Sequence, residues 1–148
     1  MDSQQSKLIV VAAWKAFASR DPGQIAAVFT PDARWIAPKD NATAVALGYA
    51  SGMEGRDAIV HFLTQEFRRL FVQDVSIDFR GFYADGSTVV VEERTRATLA
   101  NGRAYDNDYC FVFELEDGKV KQVREYMDTL GGQRMVFGDA APGRIVAA

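Results

Sequence analysis

The chain has 148 residues, 48% of them hydrophobic and 25% charged, with a formal net charge of −3. That is the balance of an ordinary globular chain, long enough to bury a core without disulfides or metals. The acidic excess argues against nucleic acid as a partner, since backbone binding needs a basic face, and no run approaches the roughly 18 apolar residues that cross a membrane.

One cysteine, Cys110, excludes a disulfide within the chain, and with a single histidine, His61, a zinc site has too few ligands. Asp2 and the short apolar run that follows make a poor secretion signal. The expectation is one cytoplasmic domain over residues 1–148 that uses no cofactor and no metal.

Residues 5–20 predict a helix, with Leu8, Val11, Ala12, Trp14 and Phe17 at or near spacings of three and four. "DPGQ" at 21–24 supplies an N-cap, a proline at the first helical position and a capping-box Gln24, so a second short helix is expected over 22–30. "ARWIAP" (33–38) reads as a short strand stopped by Pro38. Residues 39–54 are rich in small side chains and read as a long loop, of the kind that walls pockets. Residues 55–71 form an amphipathic helix with Ile59, Phe62, Leu63, Phe67 and Leu70 on one side.

From 73 to 128 the pattern is antiparallel strand. Asp-Gly or Asn-Gly turns at "ADGS" (84–87), "ANGR" (100–103) and "EDGK" (116–119) separate strands at 73–83, 88–99, 104–115 and 119–128. The tail, 131–148, carries Met135, Val136, Phe137, Ile145 and Val146, which are expected to cover a pocket or a partner subunit. Three helices before a meander predict an α+β fold, with a strongly curved, mostly antiparallel sheet wrapped round the helices.

This order, together with "RDPGQIAAVFTPDARW", "MEGRDAIVHFL" and "NGRAYDNDYCFVFELEDGKVKQVREYMDT", resembles the nuclear transport factor 2-like superfamily, and within it the SnoaL-like, ketosteroid-isomerase-like branch. The resemblance covers residues 5–130 and implies a cone-shaped α+β barrel with an internal cavity. It is specific for the fold and weak for the reaction. Steroid isomerases carry a general-base Asp before a proline; here Ala37 precedes Pro38. Their tyrosine donor falls near Ala13 or Trp14. Limonene-epoxide hydrolases use an Asp–Arg–Asp set; Arg94 matches the Arg, Arg96 replaces one Asp, and Glu125 matches the other. SnoaL-like cyclases place an acid/base carboxylate in the last strand, again at Glu125.

The candidate site follows. Val90, Glu92, Arg94 and Arg96 share one face of their strand, and Tyr105, Asn107, Tyr109, Phe111 and Phe113 one face of the next. The resemblance implies that Arg94, Asn107 and Tyr109 look inward. Glu125 and Arg94 are then the catalytic candidates, with Arg94 tuning the carboxylate. Asn107, Tyr109, Trp35 and Arg96 are the substrate-binding candidates. The same Glu125–Arg94 pair reads equally as a structural ion pair. Strict alternation forbids Val120 and Glu125 the same face, so an inward Glu125 requires a bulge near 121–124. The function expected is acid–base proton transfer on a small apolar carbonyl or polyketide-like compound. The alternatives are a non-catalytic binding or assembly domain and an epoxide hydrolase-like water addition. A homodimer through the open sheet face is also expected.

Overall fold

A computed structural model describes residues 1–147. Helix α1 (Ser3–Ser19) opens with a capping box: the Asp2 side chain accepts from Gln5 N, and the Gln5 side chain accepts from Asp2 N. Its buried stripe is Ser6, Val10, Ala13, Trp14 and Phe17. Leu8, expected inward, is 60% exposed. The helix therefore sits rotated so that both aromatic residues reach the interior. Helix α2 (Pro22–Ala26) is capped by Asp21 and buries Ile25. It is shorter than its sequence signal, because strand β1 (Phe29–Ile36) begins early.

Residues 39–54 hold more structure than a loop. Asn41 caps a one-and-a-half-turn helix, α3 (Ala42–Leu47), and β2 (Gly52–Glu54) pairs back onto β1. The amphipathic helix is continuous but not uniform: α4 (Arg56–His61), a π-helical turn (Phe62–Glu66) and α5 (Phe67–Leu70) follow one another. The wider turn advances the face, so that Phe62, Leu63 and Phe67 all reach one cavity wall.

The meander is β3 (Phe71–Asp85), β4 (Thr88–Leu99), β5 (Ala104–Glu116) and β6 (Lys119–Met127). At the β5–β6 turn Asp117 and Gly118 have φ of 51° and 80°. Left-handed geometry at both positions matches the twist of the flanking strands, and the sequence Asp-Gly suits it. The sheet has six strands in the order β2-β1-β6-β5-β4-β3. All neighbours are antiparallel except β1 with β6, which are parallel. β2 and β3 are free edges, so the sheet curves round the helices and stays open.

The tail does not wall the main cavity. After Asp128, whose side chain caps it, α6 (Thr129–Phe137) packs on β5, burying Val136 and Phe137 in a second core with Leu70, Phe71, Leu99 and Tyr105. Beyond α6 the chain returns to α3, where Ile145 N and Val146 N donate to Ala46 O. The apolar residues of the tail thus close the far end of the fold. Among the described residues no helix is long and apolar enough to cross a membrane.

Candidate active site

The decisive local feature is in β6. Val120 lies opposite Leu115 and Gln122 opposite Glu114, so Lys121 is one residue too many. Beyond it Val123 faces Phe113 and Glu125 faces Phe111, both on the inner side. The bulge lets Val120, Val123 and Glu125 all point inward, which an unbroken two-residue repeat forbids. Trp35, on the neighbouring strand β1, donates its indole N–H to Glu125 Oε1 at 2.9 Å.

Glu125 ends in a cavity of about 430 Å³ between α1, the helical segment 56–70 and the inner face of the sheet. Trp14, Phe17, Met53, Phe62, Phe79 and Phe111 supply much of its apolar wall. Tyr109 also faces it, with its ring stacked on Phe111 at 5.6 Å between centroids. Two polar atoms at the cavity are buried without a hydrogen-bond partner among the described residues: Trp14 Nε1 and Glu93 Oε2. Buried polar groups are nearly always paired; these two stand unpaired within the cavity wall, covered by its other side chains.

Glu93 is the residue that sequence reasoning missed. The expected inward face of its strand was the even-numbered one. Instead Val89, Val91, Glu93, Thr95, Ala97 and Leu99 are the buried set. The signal was present: apart from Glu93 and Thr95 the odd positions are apolar, whereas the even ones carry Glu92, Arg94 and Arg96. Glu93 is 2% exposed, and Thr95 Oγ1 donates to its Oε1 at 2.8 Å.

Burial pushes the Glu93 carboxyl up to about 7; the Thr95 hydrogen bond pulls it back, and the charge of Glu125 adds to the rise. Burial likewise raises Glu125 to about 7 against the lowering pull of the Trp35 N–H. Repulsion between like charges is mutual. Whichever carboxyl ionises first makes the second harder to ionise, so the two titrate as a pair.

The other expected residues divide. Trp35 and Tyr109 are at the cavity. Arg94 is not: it lies on the outer face, clamped by Asp106 at 2.6 Å and 2.5 Å. Arg96 lies beside it and pairs with Asp78 at 2.9 Å. Neither meets Glu125, so the expected carboxylate–guanidinium site is not assembled and the Arg-assisted epoxide chemistry loses its arginine. Asn107 is buried behind the cavity, where its amide donates to Tyr105 Oη and to Asp128 O, both at 3.1 Å. Tyr105 and Tyr109 share a 2.6 Å hydrogen bond. Burial holds both phenols above their ordinary pKa, so they stay neutral.

The SnoaL-like domain family matches residues 10–123. The chain belongs to that family. Among solved structures, this SnoaL-like chain is similar to a nuclear transport factor 2-like protein from Burkholderia xenovorans LB400, with 26% identity, 92% of this chain and 98% of that one covered, and a TM-score of 0.76. TerC, co-crystallized with polyporic acid, shares 21% identity over 89% of this chain and 98% of its own, at a TM-score of 0.75. A SnoaL-like polyketide cyclase candidate from Jannaschia sp. CCS1 shares 18% identity, with 90% and 92% covered and a TM-score of 0.72. No curated protein matches the sequence. The last two structures bear on the fold alone.

Proposed function

We propose that this SnoaL-like protein binds a compact, largely apolar carbonyl compound and moves protons on it by acid–base catalysis, with Glu125 as the base. The observation that carries the reading is Glu125 itself: an indole-clamped carboxyl in an aromatic cavity, with a pKa raised to about 7. A base poised near working pH combines availability with driving force.

In the step envisaged, the ionised Glu125 takes a proton from the carbon beside the carbonyl. The C–H electron pair moves into the carbonyl, and the enolate so formed stays in the aromatic cavity, shielded from bulk water, until a proton returns. Glu93, when protonated, is a second acid on the same wall, able to return a proton at a different atom. Isomerisation, aldol closure and dehydration are the outcomes open to such a pair. The solved structure of TerC with polyporic acid is a precedent for an organic ligand on this fold.

The test is hydrogen–deuterium exchange at the α-carbons of 2-tetralone in D2O, followed by proton NMR. The wild-type protein should accelerate exchange, and Glu125→Gln should lower that rate about a hundredfold or more. An unaffected Glu125→Gln would remove the base. Ala37 lines the cavity where steroid isomerases place their Asp, which favours a second reading, a binding domain without turnover. Ligand retention with no exchange at all would establish it.

A further inference from the structure

The described residues that line the cavity include two carboxyl-bearing side chains, Glu93 and Glu125, and one cationic side chain, Arg20. Arg20 is exposed while Trp14 and Phe17 of the same helix are buried, so it stands where the cavity meets solvent. Its guanidinium lies over the Phe67 ring, 5.3 Å from the centroid, and Phe67 is itself a cavity wall. Among the described residues it makes no ion pair within 4 Å: its neighbour Asp21 is turned away to cap α2, accepting from Gly23 N and Gln24 N.

The backbone makes the choice of residue pointed. Arg20 is the C-cap of α1 and sits at φ 59°, ψ 13°, in the left-handed region. Glycine adopts that conformation freely, and a helix that ends this way ordinarily uses it. Here an arginine occupies a strained position, rests on an aromatic ring and leaves its donor edge free. Local conflict of this kind concentrates at functional sites. A guanidinium resting over a ring has its position restricted, and its planar fork can bind an oxyanion through two parallel N–H donors.

We propose that Arg20 is a specificity-determining residue that binds a carboxylate at the mouth of the cavity. The ligand class is then a monocarboxylic acid with an aromatic or alicyclic body, the carboxylate at Arg20 and the body inside near Trp14 and Phe111. The inference rests on the reading of the cavity as a ligand site and adds the charge and orientation of what enters it. The two acidic side chains on the inner wall oppose a buried anion, so the carboxylate stays outside and the carbon skeleton goes in.

The experiment is a calorimetric titration of the full chain with 2-naphthylacetate and with its neutral twin 2-naphthylacetamide, repeated on Arg20→Gln. Glutamine meets the same left-handed backbone, so folding is perturbed little, and the amide titration reports on the cavity itself. Wild type should bind the acid about tenfold tighter than the amide, and Arg20→Gln should erase that preference while leaving amide affinity unchanged. Equal affinity of wild type for the two ligands, survival of the preference in Arg20→Gln, or binding of neither ligand would each overturn the proposal. 2-Tetralone carries no carboxylate, so a failure here leaves the acid–base reading standing, and loss of that exchange leaves the carboxylate preference measurable.

Discussion

At the scale of single residues, the chemistry depends on what surrounds two carboxyl groups. Trp35 donates to Glu125 and so favours its charged form. Trp35→Phe keeps the aromatic bulk and removes the donor. Its expected effect is a rise in the Glu125 midpoint, read by carbon-13 NMR of the labelled carboxyl with Glu125→Gln as the assignment control. Arg94→Ala is the contrasting case. Arg94 is bound to Asp106 on the far side of the sheet, so its removal should leave the Glu125 titration unmoved and the urea midpoint close to wild type. A clear shift of Glu125 in Arg94→Ala would restore the role that the family resemblance first implied for it.

At the scale of elements, placement follows from small irregularities. The Lys121 bulge turns Glu125 inward, the π-helical turn brings Phe62 and Leu63 to the cavity, and side chains of the β4–β5 hairpin tie α6 down: Asn101 and Arg103 donate to carbonyls of its last turn, and one residue holds its start. That residue is Asn107, whose amide holds the Asp128 carbonyl at the start of α6 and the Tyr105 hydroxyl behind the site. Asn107→Leu removes one hydrogen bond from each, while Tyr105 keeps its bond to Tyr109 and the Asp128 carbonyl its bond from Gly132 N, so the loss is on the order of 1 kcal/mol per bond. The expected signature is faster amide exchange localised to α6, with ligand affinity largely retained because Asn107 does not touch the cavity. Unchanged α6 protection would mean that Val136, Phe137 and the Asn101 and Arg103 hydrogen bonds hold the helix without Asn107.

At the scale of the whole molecule, the buried carboxyls tie stability to pH. Each is raised from 4.5 to about 7 on folding, so the folded state holds protons that the unfolded chain has released. Their favourable neutral state is intact below about 4.5 and is lost as pH rises through about 7. Urea unfolding should therefore show stability falling over that window, by up to about 3 kcal/mol per carboxyl, and Glu93→Gln with Glu125→Gln should flatten the curve. A wild-type curve that stays flat over that window instead would mean both groups are ionised in the folded protein. Quaternary structure belongs to this scale too. We propose a homodimer through the outer sheet face, where Tyr83 and Tyr126 are 51% and 52% exposed beside alternating arginine and aspartate side chains. Light scattering should give twice the 16.4 kDa chain mass, and a clean single-chain mass would refute the dimer.

Periodicity and turn chemistry are local, so the sequence by itself determined the long helices, the hairpins at Asp-Gly and Asn-Gly, and the family that their order resembles. It also carried the strongest single candidate, Glu125, because alternation made a bulge the condition for an inward carboxylate and the fold contains that bulge. What it did not determine was which face of β4 is inside. Arg94 and Glu93 are adjacent in sequence and opposite in space, and the choice is made by burial of Val89, Val91, Ala97 and Leu99 against the rest of the molecule. Likewise Asn107 and Tyr109 share a strand face, yet curvature sets one behind the cavity and the other in it. The free N–H of Trp14, the orphan oxygen of Glu93 and the guanidinium of Arg20 over Phe67 arise only when distant segments meet. Hydrogen bonding and desolvation act on neighbours in space, and those neighbours are chosen by the packing of the entire chain.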